Sequence, residues 1–257
     1  MWSSWPAVNY TTLAKSPTFV SLVALLAAAC ALPPAAPDAL SGERIAAIVS
    51  APDRSAADRT NDLRRKPEEM LAFIGLRPGM TALDISAGGG YTTELLARAV
   101  GARGRVYAQT PKPSPRLAER IKTPAMANVV LAARSFSDPV PPEAHGTLEL
   151  ATLMFNYHDF GHLGVDRAAF NRAVFAALKP GGVFVVADHS GRPGTGISES
   201  GTLHRIEESF LRREVEAAGF RLAAEGDFLR NPSDPHDRET PVPAQPKDEF
   251  VLKFVKP

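Results

Sequence analysis

ALDISAGGGYTTELLARAV, residues 82–100, changes character twice within nineteen residues. An apolar, strand-like start ends at Asp84 and Ile85. Three adjacent glycines, Gly88, Gly89 and Gly90, interrupt it, and from Tyr91 the pattern turns helical, with Leu95, Leu96 and Ala99 on one side. A strand, a glycine-rich turn and a helix form a common cradle for an anionic or nucleotide-like ligand, because glycine lets the backbone approach closely and the helix start exposes N–H groups. Two such cradles are excluded by spacing. A phosphate loop needs Gly-Lys-Ser/Thr after the glycines, where Tyr91-Thr92-Thr93 stand, and a dinucleotide turn needs Gly-x-Gly-x-x-Gly. The chain also lacks a Tyr-x-x-x-Lys pair in the region where an NAD-dependent oxidoreductase would carry one.

Outward from this stretch, strands and helices alternate. TALDI (81–85), GRVYAQ (104–109), NVVLAA (128–133), TLELATLMF (147–155) and GVFVVADH (182–189) read as strands, followed by FRLAAE (220–225) and FVLKFV (250–255). Helices are predicted at 91–100, at 113–122, from an Asp166 cap to a stop at Pro180–Gly181, and from Thr202 to a Gly219 cap. The five apolar residues from Val183 to Ala187 suit a central strand buried on both faces. This order predicts a mostly parallel sheet covered by helices on both sides, with ligands bound beyond the C-terminal strand ends.

Before the sheet, GERIAAIVSA (42–51) and KPEEMLAFIGL (66–76) read as short helices, with Pro67 opening the second. The charged run PDRSAADRTNDLRRK (52–66) between them is expected to be a solvated face. Further upstream, Lys15 is the only charge before the 14-residue apolar run from Phe19 to Leu32, a length that fits an export signal better than a membrane span. Ala27-Ala28-Ala29-Cys30 is a degenerate lipoprotein cleavage box, so either lipidation of Cys30 or simple secretory cleavage is open, and the location expected is periplasmic or membrane-anchored. With one cysteine there is no internal disulfide framework. The organisation expected is a leader and start of a tether over 1–36, a linker and helical segment over 37–66, and one domain over 67–257. The 29 basic and 28 acidic residues leave a net charge of +1, which gives no field for nucleic acid.

Several polar residues fall at strand ends. After the fourth strand come Asn156, Tyr157, His158 and Asp159, where His158 and Asp159 are placed as a base and its orienting carboxylate. His189 follows the fifth strand as a second base candidate. His158 and His162 have the i, i+4 spacing of a metal pair, but Gly161 and Gly164 argue against a helix there and no third ligand is evident, so no metal is expected. SGRPGTGISESG (190–201), with four glycines, reads as a lid or a plain flexible loop. His204 is expected to be structural, His145 exposed, and His236 part of an excursion (229–249) too long for a tight hairpin.

Asp-x-Ser-x-Gly-x-Gly at the first strand, ALKPGG before the buried fifth strand and the closing pair of strands resemble the class I S-adenosylmethionine-dependent methyltransferases over residues 67–257. LRPGMTALDISAGGGY, NYHDF, LKPGGVFVVADHS, TLHRIEESFLRREVEAAGF and RNPSDPH are similar to a narrower bacterial group of often exported methyltransferases of unassigned acceptor. The resemblance implies a Rossmann-like α/β fold of seven strands, mostly parallel with an antiparallel last strand, and S-adenosylmethionine as cofactor. It would place Asp84, Ser86, Gly88, Gly89, Gly90 and Tyr91 at the methionine end, and Gln109 at the ribose, with Asn156 also among the cofactor contacts. Two positions depart from the family: Ser86 replaces a glycine, and Gln109 stands where an acid is usual. Arg134 and Ser135, with Asp138 nearby, occupy the adenine region without its usual acid. The function implied is methyl transfer to a small-molecule acceptor; the alternative is the same fold kept as a non-catalytic envelope or ligand-binding protein.

Overall fold

The computed structural model describes residues 38–239 and 246–257. The leader with Cys30, and most of the tether, lie outside them. Seven strands form one sheet: β1 (Thr81–Ile85), β2 (Arg105–Thr110), β3 (Val129–Ala133), β4 (Leu148–Met154), β5 (Leu178–His189), β6 (Arg221–Gly226) and β7 (Glu249–Val255). Their order is β3-β2-β1-β4-β5-β7-β6, parallel except for β7, which runs antiparallel to both β5 and β6. The chain winds outward from β1 to β3, then returns to start β4 beside β1, so the switch point lies between those two strands.

Alternation along the strands splits the core into two layers. Leu83, Ile85, Leu153, Phe184 and Val186 pack on one face with Phe170 and Val174 of α6 (Arg167–Ala177) and Leu211 and Val215 of α7 (Glu208–Ala217). Ala82, Val106, Leu150, Val185 and Ala187 face the other way. They meet α1 (Gly42–Val49), α3 (Pro67–Ile74) and α4 (Tyr91–Val100) through Ile45, Ile48, Leu71, Ile74 and Leu96. Burial on this scale contributes about 25 cal/mol per Å² of apolar surface. Because Ile45 and Ile48 belong to that layer, the segment before residue 67 is built into the domain, and one compact unit spans 37–257. Among the described residues no helix is long and apolar enough to cross a membrane.

Three expectations need correction. The helix expected to run to Pro180–Gly181 ends at Ala177, because Leu178 is taken into the sheet opposite Leu148. The helix expected from Thr202 begins only at Glu208: Ile206 bridges Ser190 in parallel, and His204 has a φ of 51°, which no α-helix accommodates. The charged run is a solvated face only in part, since most of it is exposed while Arg54 and Asp58 are buried. It forms α2 (Ala56–Arg65), capped by Ser55, and its Asp58 is 1% exposed.

Candidate active site

The turn after β1 is built by Gln109. Its Oε1 accepts the Ser86 N–H at 3.0 Å, its backbone carbonyl accepts Ala87 N–H at 2.8 Å, and its Nε2 donates to the Arg134 carbonyl at 2.7 Å. Buried at the end of β2, this amide ties the turn to the segment after β3. Ser86, Gly88 and Gly90 all have left-handed φ values, 57°, 56° and 81°. The third is glycine for a second reason: a Cβ there would lie 2.9 Å from Arg120 Cδ on α5 (Pro115–Arg120).

Asp84 lies beneath the turn. Its Oδ2 accepts from Thr93 of α4 at 2.6 Å and its Oδ1 from Thr152 of β4 at 2.9 Å. Burial raises its pKa to about 6 despite these two donors. Such a carboxylate is suited to receive a cation.

Helix α2 lies beside the turn, held by charge. Asp58 accepts from Arg116 at 2.9 Å and from Arg120 at 2.5 Å, and Arg120 also donates to the Gly90 carbonyl at 3.0 Å. One turn on, Asp62 accepts from Tyr91 Oη at 2.6 Å and forms a two-pronged pair with Arg54. Arg64 reaches Glu249 at the start of β7 at 2.5 Å. Arg65 lies over both the Tyr91 and Phe155 rings, 5.3 and 4.6 Å from their centroids.

From Phe155 a row of rings leads away from the turn. Phe155, at a left-handed φ of 59°, stacks on His189 at 5.5 Å, and His189 lies 5.3 Å from His158. His158 Nδ1 is 2.6 Å from Asp188 Oδ1, and its Nε2 is 3.0 Å from Asp159 Oδ1. His204 Nδ1 meets that same Asp159 oxygen at 3.2 Å, while Asn156 Nδ2 donates to Asp159 Oδ2 at 2.5 Å.

The charge states along this row differ sharply. Burial opposes a charged His158, but its bonds to Asp159 and Asp188 outweigh that and raise its pKa to about 9. His189 is lowered to about 3 by burial, so it is neutral at physiological pH. Glu249 Oε1 lies 3.0 Å from His189 Nδ1 at an angle that makes no hydrogen bond, leaving that nitrogen without a partner. Burial raises Glu249 itself to about 7 against the pull of Arg64 and Arg65.

The structure therefore gathers Asp84, Ser86, Gly88–Gly90 and Tyr91 around the turn, and His158, Asp159 and His189 at the ends of β4 and β5. Gln109 is turned inward as a brace, and Asn156 is engaged with Asp159. His204, expected to be structural, joins the cluster at Asp159. The glycine-rich segment after β5 is fastened: Glu207 accepts Gly194 and Gly196 N–H groups, and Ser200 is buried against His158 and His162. His145 is exposed, and His236 lies 3.3 Å from Asp248. Sequence reading missed Thr93, Thr152 and Arg65. A threonine facing inward on an otherwise apolar helix side was the one available signal for Thr93.

No curated protein matches the chain in sequence. The family model of the protein-L-isoaspartate(D-aspartate) O-methyltransferases matches residues 60–133, from within α2 to the end of β3. Among solved structures, a SAM dependent methyltransferase from Aquifex aeolicus is 19% identical with a TM-score of 0.60, covering 85% of this chain and 100% of that one. The Burkholderia thailandensis 1,6-didemethyltoxoflavin-N1-methyltransferase, solved with 1,6-didemethyltoxoflavin and S-adenosylhomocysteine, is 19% identical with a TM-score of 0.54, over 84% of this chain and 91% of that one. A protein of Bordetella parapertussis described as a possible exported protein is 15% identical with a TM-score of 0.52, over 86% and 80%. At these identities the likeness is one of fold, and the fold is the Rossmann-like one of the class I S-adenosylmethionine-dependent methyltransferases.

Proposed function

We propose that the chain is an S-adenosylmethionine-dependent methyltransferase acting on a small-molecule acceptor. The observation that carries this reading is Asp84, a buried carboxylate at the switch point of the sheet, directly under a glycine turn. The likeness in fold to methyltransferases supports it. The residues present fit the methionine end of the cofactor: Asp84 offers an acceptor for its ammonium group, and the left-handed backbone at Gly88 and Gly90 shapes the turn above it. The ribose end fits less directly, since Gln109 is spent on backbone groups. Ribose hydroxyls would be met by the turn and by the segment after β3 rather than by an acid.

Bound there, the sulfonium supplies an electrophilic methyl group, and the protein's task is alignment and exclusion of water. Arg65, Tyr91 and Phe155 form the wall between the turn and the row of histidines. His158, Asp159 and His189 line the acceptor end. His158 carries its proton at neutral pH, and His189, lowered to about 3, is too weak a base to take a tightly held proton, so the pair orients an acceptor more readily than it deprotonates one. The leader supports export, which we propose as the setting of the activity.

Calorimetric titration with S-adenosylmethionine tests the reading. Binding is expected at neutral pH and is expected to weaken as pH falls through about 6, where Asp84 takes up its proton. Asp84→Asn should bind weakly, with that pH dependence flattened. Absence of heat in the wild type, or wild-type affinity in Asp84→Asn, would overturn it.

A further inference from the structure

The spacing of His158 and His162 pointed to a metal pair without a third ligand, but the structure assembles a different set. Among the described residues, His158, Asp159 and His204 offer ligand atoms that all lie within 4.8 Å of one another. We infer that these three side chains form a binding site for a divalent first-row transition cation of the Zn2+ type, with a fourth position open toward the acceptor end.

Four observations carry this. First, one oxygen is the focus: Asp159 Oδ1 lies 3.0 Å from His158 Nε2 and 3.2 Å from His204 Nδ1. A tetrahedron with bonds of about 2.0–2.1 Å has edges of about 3.3 Å. A cation at its centre would displace the proton from His158 Nε2 and take one lone pair from each of the three groups, which already converge on a single carboxylate oxygen. Second, the outer contacts are those of a metal site. His158 presents its far nitrogen to the buried carboxylate of Asp188 at 2.6 Å, which fixes the ring and leaves Nε2 for the ion, and Asn156 holds the other Asp159 oxygen.

Third, His204 reaches Asp159 from a left-handed backbone at φ 51°, a conformation costing about 1 kcal/mol or more for a residue other than glycine. The chain between β5 and α7 holds that strain where it delivers an imidazole. Fourth, access is graded. His158 and Asp188 are buried, while the side chains of Asp159 and His204 are 22% and 38% exposed, so an ion can enter and a ligand can share it. Two imidazoles and one carboxylate favour Zn2+ and its neighbours over Mg2+ or Ca2+, which prefer oxygen.

The inference stands apart from the methyl-transfer reading, because metal uptake is its own readout. The untagged full chain, stripped with a chelator, is titrated with Zn2+ against a chromophoric competitor, and with Co2+ to record the visible bands of a tetrahedral ion. One equivalent is expected to bind. His204→Asn, a residue that tolerates the left-handed backbone, and Asp159→Asn should each weaken binding by more than about 100-fold, since loss of an outer partner alone costs 10–100-fold. His145→Ala, in an exposed loop, should bind as wild type does. Circular dichroism confirms folding, and if Asp159→Asn fails to fold, the half-exposed His204 variant decides. No stoichiometric uptake, uptake unchanged in His204→Asn, or equal loss in His145→Ala overturns the site.

Discussion

At the scale of single residues, the turn is maintained by two side chains working in opposite senses. Asp84 opposes folding when ionised: its carboxyl titrates near 3.9 in an unfolded chain and at about 6 in the fold. The folded state therefore binds more protons between those values, and above about pH 6 the buried charge subtracts ~3 kcal/mol from stability. A cation seated beside it offsets that cost, which is why such a group is informative about a ligand. Gln109 does the reverse and stabilises the turn. Placing an acid there, Gln109→Glu, would set a carboxylate 2.7 Å from the Arg134 carbonyl, acceptor against acceptor, at a position with no exposure. We expect it to lower stability by about 1–3 kcal/mol in denaturant unfolding, without tightening S-adenosylmethionine binding. An unchanged midpoint with tighter binding would mean that the side chain faces the ligand instead.

At the scale of elements, helix α2 marks the limit of what periodicity discloses. Strands β1 to β5 and helix α4 were legible because burial imposes alternation and helical spacing on apolar residues. Helix α2 has almost no apolar face; it is placed by polar contacts such as those of Asp58 with Arg116 and Arg120, 58 and 62 residues away, and of Arg64 with Glu249, which no local pattern announces. The same reason hid the end of the row of histidines, since His204 meets Asp159 across 45 residues. Asp58→Asn removes the charge that two arginines share. Arg120 keeps the Gly90 carbonyl and Glu94, and Arg116 is half exposed, so the expected loss is about 3 kcal/mol, at the low end for a broken buried pair. Hydrogen exchange should quicken across α2 and around the glycine turn while β4 and β5 stay protected. Uniform loss of protection would show that the latch supports the whole sheet rather than one strap.

At the scale of the molecule, the glycine turn, helix α2 and the row of histidines belong to one unit spanning 37–257, and the remaining question is where that unit works. The fold was legible in the strand order and the glycine turn; the full set of side chains at the ends of β4 and β5 was not, because only the folded sheet brings them together. The leader carries its own physical argument. The apolar run from Phe19 to Leu32, 14 residues, falls short of the roughly 20 that a membrane span needs, which supports the proposed export signal over a permanent span. If Cys30 is then acylated, more than one chain gives the stable anchoring that a single chain does not. Growth of a bacterial host with radioactive fatty acid should label the wild-type chain in the membrane fraction, and Cys30→Ser should abolish the label and release the protein to the periplasmic fraction. Export without label in both would leave simple secretory cleavage as the route, and retention of both in the cytosol would remove export from the proposal altogether.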